Sequence, residues 1–164
     1  MSFPFRILNF VLQLLTAVLE VLALLLLIRI LSSHCVRGEE YGISVWMYTF
    51  MLPAIVFQNT VLVIFRLCCT TVGLDPIAMT FNWASGFVCL GTGLTLLVAM
   101  IDHCGNEYLP MFYLSSAFGV IAGVLHLVNA CVCNVYMPLG EWSFLKPSKR
   151  ARKRALKNRR RRSS

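Results

Sequence analysis

Charged side chains are scarce over most of this 164-residue sequence. Residues 1–145 contain only 4 Lys and Arg and 7 Asp and Glu, while 58% of the whole chain is hydrophobic. A soluble domain of this size needs a more polar surface than that, so the composition excludes one. The mean hydropathy of +0.73 indicates an integral membrane protein.

The motifs of common enzyme classes are missing as well. The sequence has no nucleophile elbow, no Gly-rich phosphate loop and no paired carboxylates, so we predict neither catalysis nor a cofactor. Its 7 cysteines form no C-x-x-C pair and no zinc-finger spacing, which argues against a structural metal. The first apolar run is too long for a cleaved signal peptide, and we expect it to stay in the mature chain.

Apolar runs long enough to cross a bilayer occur four times. A helix needs about 20 such residues to cross the hydrocarbon core. The runs cover about 8–31, 44–67, 82–101 and 111–137, with short connections between them. They predict an all-α membrane protein whose transmembrane domain, residues 1–137, is a four-helix bundle.

The excess of positive charge lies after the fourth span. Residues 146–164 hold 11 of the 15 Lys and Arg and no acid. Such a segment resists translocation, so we predict that both termini are cytoplasmic. We expect residues 138–164 to form a disordered tail that binds anionic inner-leaflet lipids or acts as a trafficking signal. Its key basic residues are Lys149, Arg150, Arg152, Lys153, Arg154, Arg159, Arg160, Arg161 and Arg162. No aromatic side chains separate these charges, which argues against nucleic-acid binding.

Polar and small residues recur at helical spacing in the first and fourth spans. The first carries Asn9, Gln13, Thr16 and Glu20, and the fourth carries Ser115, Gly119, Ala122, His126 and Asn129. Steps of 3 and 4 place each set on one face, which should turn away from lipid. At about 1.5 Å per residue, Glu20 and His126 lie at similar depths, so we predict that they meet across an antiparallel pair.

The other two spans show the same spacing of 3 and 4 residues. We predict inward stripes of Asn82, Ser85, Cys89, Thr92 and Leu96 in the third span, and of Thr49, Pro53, Val56 and Thr60 in the second. A period of about 3.5 residues favours a left-handed bundle. The Gly119-x-x-x-Gly123 step should let a neighbouring helix approach closely.

Glu20 has two interpretations. An acid near the bilayer centre is unfavourable and usually has a partner or a function. It could form a proton or cation site with His126, or a hydrogen-bonded lock that fixes helix register. We favour the lock, because a transporter normally shows more ionisable groups or broken helices at this depth.

The cysteines near the span ends allow two modifications. Cys35 and Cys104 each follow a span on the outer side, and we predict a disulfide between them in an oxidising compartment. A zinc site with the adjacent His34 and His103 is disfavoured, since neighbouring His and Cys rarely both reach one ion. Cys68 and Cys69 lie at an inner span end, where cysteines can be palmitoylated.

The chain has four spans joined by short loops. Its first span begins with an arginine (Phe5-Arg6-Ile7-Leu8), and its last span, from Ser116 to Asn129, is rich in small residues. In these features the chain resembles the MARVEL-like tetraspan proteins. The resemblance implies a non-enzymatic organiser of cell junctions, membrane apposition or vesicle trafficking. It would act at the plasma membrane or in secretory-pathway vesicles, contacting other membrane proteins laterally or in trans or forming homo-oligomers. The alternatives are a small proton or cation channel that uses Glu20 and His126, and a resident of the endoplasmic reticulum or nuclear envelope held by its tail.

Overall fold

Four long helices make up the part of the chain that the structure, a computed structural model, describes: residues 3–32, 42–68, 75–101 and 107–136. They are α1 (Phe3–Leu31), α2 (Gly42–Cys68), α3 (Asp75–Ile101) and α4 (Leu109–Tyr136). Each is long and apolar enough to cross a membrane, because 27 residues of helix extend about 40 Å and a bilayer core is about 30 Å thick. The predicted number of helices is confirmed.

The helix starts follow local chemistry. In α3 the first two residues are Asp75 and Pro76, and α4 has Pro110 in its first turn. Proline suits a first helical turn, where its missing N–H removes no hydrogen bond. The apolar run predicts that the third span begins near residue 82, but the proline signal lies several residues earlier and the helix begins there. Gly42 enters α2 with a φ of +57°, a conformation that glycine adopts without a steric penalty.

Helices α1 and α4 run in opposite directions. Along α1, Asn9, Gln13 and Glu20 contact residues 133, 129 and 126 of α4, so the two helices are antiparallel. The start of α1 and the end of α4 therefore lie at one end of the bundle, which we call the terminal end. Helix α4 packs closely against α1 and α3, whereas α2 packs more loosely against its neighbours.

The buried positions of α1 repeat every seven residues. They are Asn9, Gln13, Thr16, Glu20, Ala23, Leu27 and Ile30. The first four are polar and the last three apolar, so the interior changes character along the bundle axis. Toward the end opposite the termini, the interior is an apolar cluster of Ala23, Leu27, Ile30, Val45, Tyr48, Leu52, Leu96, Met100 and Phe112. We call this cluster the apolar plug.

The stripe predicted for α2 was wrong by about one residue. Pro53 and Thr60 are exposed. The buried residues of this helix are Val45, Tyr48, Leu52, Ile55, Asn59, Leu62 and Val63. Thr60 can face lipid because its hydroxyl donates to the Val56 carbonyl of the same helix, at 2.7 Å. A threonine is therefore a poor guide to which face of a membrane helix is buried.

Close contact between α3 and α4 depends on glycines. A Cβ added to Gly123 would lie 2.9 Å from the backbone nitrogen of Leu90, and one added to Gly86 would lie 3.2 Å from the Gly123 carbonyl oxygen. Gly119 instead faces α2, where a Cβ would lie 2.7 Å from the Tyr48 hydroxyl. The two glycines of the predicted Gly119-x-x-x-Gly123 step thus serve two different neighbours.

We expect Gly123→Ala to destabilise the bundle by about 1–3 kcal/mol, because the new methyl group forces two backbones apart. Gly91 is the matched control, since it is also helical but has nothing within 4 Å of an added Cβ. Gly91→Ala should be neutral or stabilising by up to about 1 kcal/mol, from helix propensity alone. The free energy of unfolding of both variants is measured in mixed micelles. Equal stability of the two would contradict the close approach.

Candidate functional site

The interior near the terminal end contains an unusual number of polar side chains. All six residues predicted to form an intramembrane polar network are at most 1% exposed: Asn9, Gln13, Thr16, Glu20, His126 and Asn129. They come from α1 and α4. Helix α2 adds Asn59, and α3 adds Asn82, at 2% and 0% exposed. A bilayer interior offers no water to these groups, so each needs a partner inside the bundle.

Glu20 and His126 lie in direct contact. The His126 Nε2 atom is 2.6 Å from Glu20 Oε1. On the other side of the ring, Nδ1 is 2.8 Å from the side-chain oxygen of Asn82. The imidazole thus bridges α1 and α3 from its position on α4.

These three residues belong to a closed ring of hydrogen bonds. Asn59 Nδ2 donates to Glu20 Oε2 at 2.8 Å, and Asn82 Nδ2 donates to Gln13 Oε1 at 3.1 Å. Gln13 Nε2 donates to Asn59 Oδ1, which closes the ring. We call the five side chains Gln13, Asn59, Glu20, His126 and Asn82 the polar circuit. It takes at least one residue from every helix.

The circuit fixes where protons lie. Because Asn82 presents its oxygen to His126, the Nδ1 atom must carry a hydrogen. One further proton between Nε2 and Glu20 Oε1 would satisfy their 2.6 Å contact. Whether it stays on the imidazole or on the carboxyl group, the pair has no net charge. A neutral pair avoids much of the desolvation penalty that an isolated ion would meet at this depth.

A second residue of α4, Asn129, is bonded to the circuit. Asn129 Nδ2 donates to Gln13 Oε1 at 2.7 Å, so this oxygen accepts two hydrogen bonds. The Asn129 Oδ1 atom is buried and has no hydrogen-bond partner among the described residues. Thr16 takes no part in these bonds, because its hydroxyl donates to the Leu12 carbonyl of its own helix, at 2.7 Å. Thr16 is buried without joining helices.

Two smaller links lie on either side of the circuit. At the terminal end, Arg66 donates to the Asn9 oxygen, and Asn9 donates to Cys133 Sγ. Toward the opposite end, the Tyr48 hydroxyl donates to the Ser115 carbonyl at 2.8 Å. The Ser115 hydroxyl in turn donates to the Ala23 carbonyl at 2.9 Å. Both links join three helices.

The remaining predicted site residues are distributed as follows. Ser85, Cys89, Ala122 and Gly123 are buried at helix contacts, and Cys68 is an exposed free thiol at the end of α2. The predicted disulfide of Cys35 and Cys104, the second palmitoylation candidate Cys69 and the basic tail lie outside the described residues. Within the described ranges, no group of three or more His, Cys, Asp or Glu could hold a metal ion.

The sequence analysis did not predict three residues that take part in these hydrogen bonds between helices: Tyr48, Asn59 and Arg66. An asparagine inside an apolar run was a usable signal for Asn59, but the wrong stripe assigned to α2 concealed it. Tyr48 gave no polar signal, since a tyrosine near a membrane surface usually lies at the interface.

No family model, no curated protein and no solved structure matches this chain.

The circuit predicts different results for two substitutions of Glu20. A glutamine can accept from Asn59 with its oxygen and donate to the Nε2 atom of a neutral His126. The free energy of unfolding of Glu20→Gln should therefore lie within about 1 kcal/mol of the wild-type value. Glu20→Ala removes the acceptor for Asn59 and the partner of the imidazole. We expect it to destabilise the protein by about 2–4 kcal/mol. Unfolding in mixed micelles compares them, and equal losses would show that the ring is not formed.

Proposed function

We propose that this chain is a non-enzymatic integral membrane protein that organises membrane contacts or vesicle traffic. The observation that supports it is the closed polar circuit. Its side chains bond to one another, and the ionisable pair is tied into a ring that holds the four helices in one register. Such an interior suits a rigid protein whose outer surfaces make the functional contacts.

The topology that we propose places both termini in the cytoplasm. The terminal end of the bundle carries the start of α1 and precedes the basic tail, whose charge favours the cytoplasmic side. We also propose a left-handed crossing, supported by the seven-residue repeat of buried positions in α1. The tail would hold anionic inner-leaflet lipids.

The partners in this proposal are other membrane proteins, met laterally or in trans, or further copies of the chain. All four helices present large apolar side chains outward, such as Ile43 at 76% and Phe57 at 72% exposed. This surface suits lipid or helices within a membrane, at the plasma membrane or in secretory vesicles. The MARVEL-like resemblance remains a prediction that agrees with this role.

A proton or cation channel is the main alternative, and the apolar plug argues against it. The polar side chains run from Arg66 and Asn9 at the terminal end to the Glu20–His126 pair. Beyond this pair, Leu27, Leu96 and Phe112 fill the interior, each at most 1% exposed. An ion that reached Glu20 would then meet a mainly apolar layer, in which the Tyr48 and Ser115 hydroxyls are already bonded to backbone carbonyls.

Proteoliposomes containing only this protein should therefore show no proton flux above protein-free vesicles. We expect the same result for the wild type and for Glu20→Gln, with a pH-sensitive dye inside the vesicles and an imposed pH gradient. Proton flux in the wild type that is lost in a folded Glu20→Gln variant would favour the channel and overturn the organiser.

Deleting residues 146–164 tests retention in the endoplasmic reticulum or nuclear envelope. We expect the full-length chain at the plasma membrane or in secretory vesicles, and we expect the shortened chain to follow the same route. Fluorescence imaging of both forms measures this. A full-length chain in the endoplasmic reticulum that reaches the surface only after deletion would assign it to the resident class.

A further inference from the structure

The side-chain amide of Asn129 is hydrogen-bonded at one end. Its Nδ2 atom donates to Gln13 Oε1 at 2.7 Å. The residue is 0% exposed, and its Oδ1 atom has no hydrogen-bond partner among the described residues. A buried carbonyl group without a donor is unfavourable, and more so in a protein that a bilayer surrounds. The Oδ1 atom therefore needs a donor from another source.

Exchanging the oxygen and the nitrogen of the Asn129 amide does not supply one. The oxygen would then face Gln13 Oε1, which is also an acceptor. Gln13 cannot turn in compensation, because its Nε2 atom donates to Asn59 and Asn59 in turn donates to Glu20. The orientation of these amides thus follows from the Glu20 carboxyl group, and the Asn129 oxygen points away from Gln13.

Among the described residues, the side chains at this level of the other helices are committed or apolar. On α1, the Thr16 hydroxyl donates to its own helix. On α2, the buried side chains between the circuit and the terminal end are Leu62 and Val63. On α3, Ala78 lies one turn from Asn82 toward the terminal end and contributes only a methyl group. This small side chain takes up little of the interior at the level of the unsatisfied oxygen.

The polar route to this oxygen starts at the terminal end. Asn129 lies seven residues before the end of α4 at Tyr136, a rise of about 10 Å. Over that distance the interior contains the hydrogen-bonded side chains of Asn9, Cys133 and Arg66, and Arg66 is only half-buried. In the opposite direction the apolar plug fills the bundle. A small polar molecule would therefore enter from the terminal end.

We propose that Asn129 Oδ1 binds one internal water molecule, which donates a hydrogen bond to it and so joins the polar circuit. Water fits because the oxygen needs a donor that is small and uncharged. A cation is disfavoured by the Arg66 guanidinium group, which lies on the route from the terminal end. A buried water usually makes about three hydrogen bonds, and Asn9 and Cys133 are the next polar side chains of α1 and α4 in that direction. The circuit would then exchange hydrogens with one side of the membrane only.

The test measures transfer of proton magnetisation from water to side chains by solid-state NMR. It uses the full-length chain with labelled asparagine, glutamine and histidine in phosphatidylcholine bilayers. Asn59 is the matched control within the same molecule, because it is 2% exposed but its oxygen accepts from Gln13. We expect transfer to the Asn129 side chain to build up faster than transfer to Asn59 by about threefold or more. Equal build-up at the two side chains would overturn the proposal.

Asn129→Leu tests whether this oxygen holds the water. Leucine has a similar volume but no acceptor, so transfer to the Gln13 side chain should fall by about threefold. Thr16→Val is the control, since Thr16 is as deeply buried but donates within α1, and transfer to Gln13 should be unchanged there. A folded Asn129→Leu protein, with His126 signals like those of the wild type, that keeps full transfer to Gln13 would contradict the assignment. If this variant does not fold, the wild-type comparison of Asn129 with Asn59 decides the question alone.

Discussion

The lack of water in a bilayer core is the constraint on which the rest of this structure depends. A polar side chain placed there must find its partner in the protein or remain unsatisfied, at a loss of several kcal/mol. The chain places one acid, one imidazole and several amides at this depth. Its four helices are arranged so that these groups close a ring around Glu20 and His126. Helix register follows, because a one-residue shift of any helix would break the ring.

The ring also explains the uneven packing of the bundle. Helix α4 carries His126 and must approach both α1 and α3, and glycines bring the α3 and α4 backbones together. Helix α2 reaches the interior with longer side chains: Asn59 joins the ring, and Tyr48 extends to α4. Since long side chains bridge the gap, α2 stays farther from its neighbours.

Much of the fold could be predicted because hydrophobicity and period are local properties. Apolar runs revealed four helices, and polar residues at steps of 3 and 4 revealed the inner face of α1. The same reasoning was wrong for α2, where Thr60 satisfies its hydroxyl within its own helix. The predicted start of α3 was also too late in the sequence, because the helix begins at Asp75 and Pro76, before the strongest apolar run. Both errors came from reading polarity alone, without asking where each hydrogen bond goes.

The sequence by itself determined the number of helices, their apolar outer surface and the depth at which the polar groups lie. Each of these depends on composition along one segment. Only the tertiary structure decided which polar groups meet: that Asn59 lies between Gln13 and Glu20, that Asn82 orients His126, and that Thr16 stays outside the ring. Those pairings depend on the rotation and separation of four helices together. No single segment specifies these quantities, because a side chain's partner is chosen by the distance between helices that lie far apart in the chain.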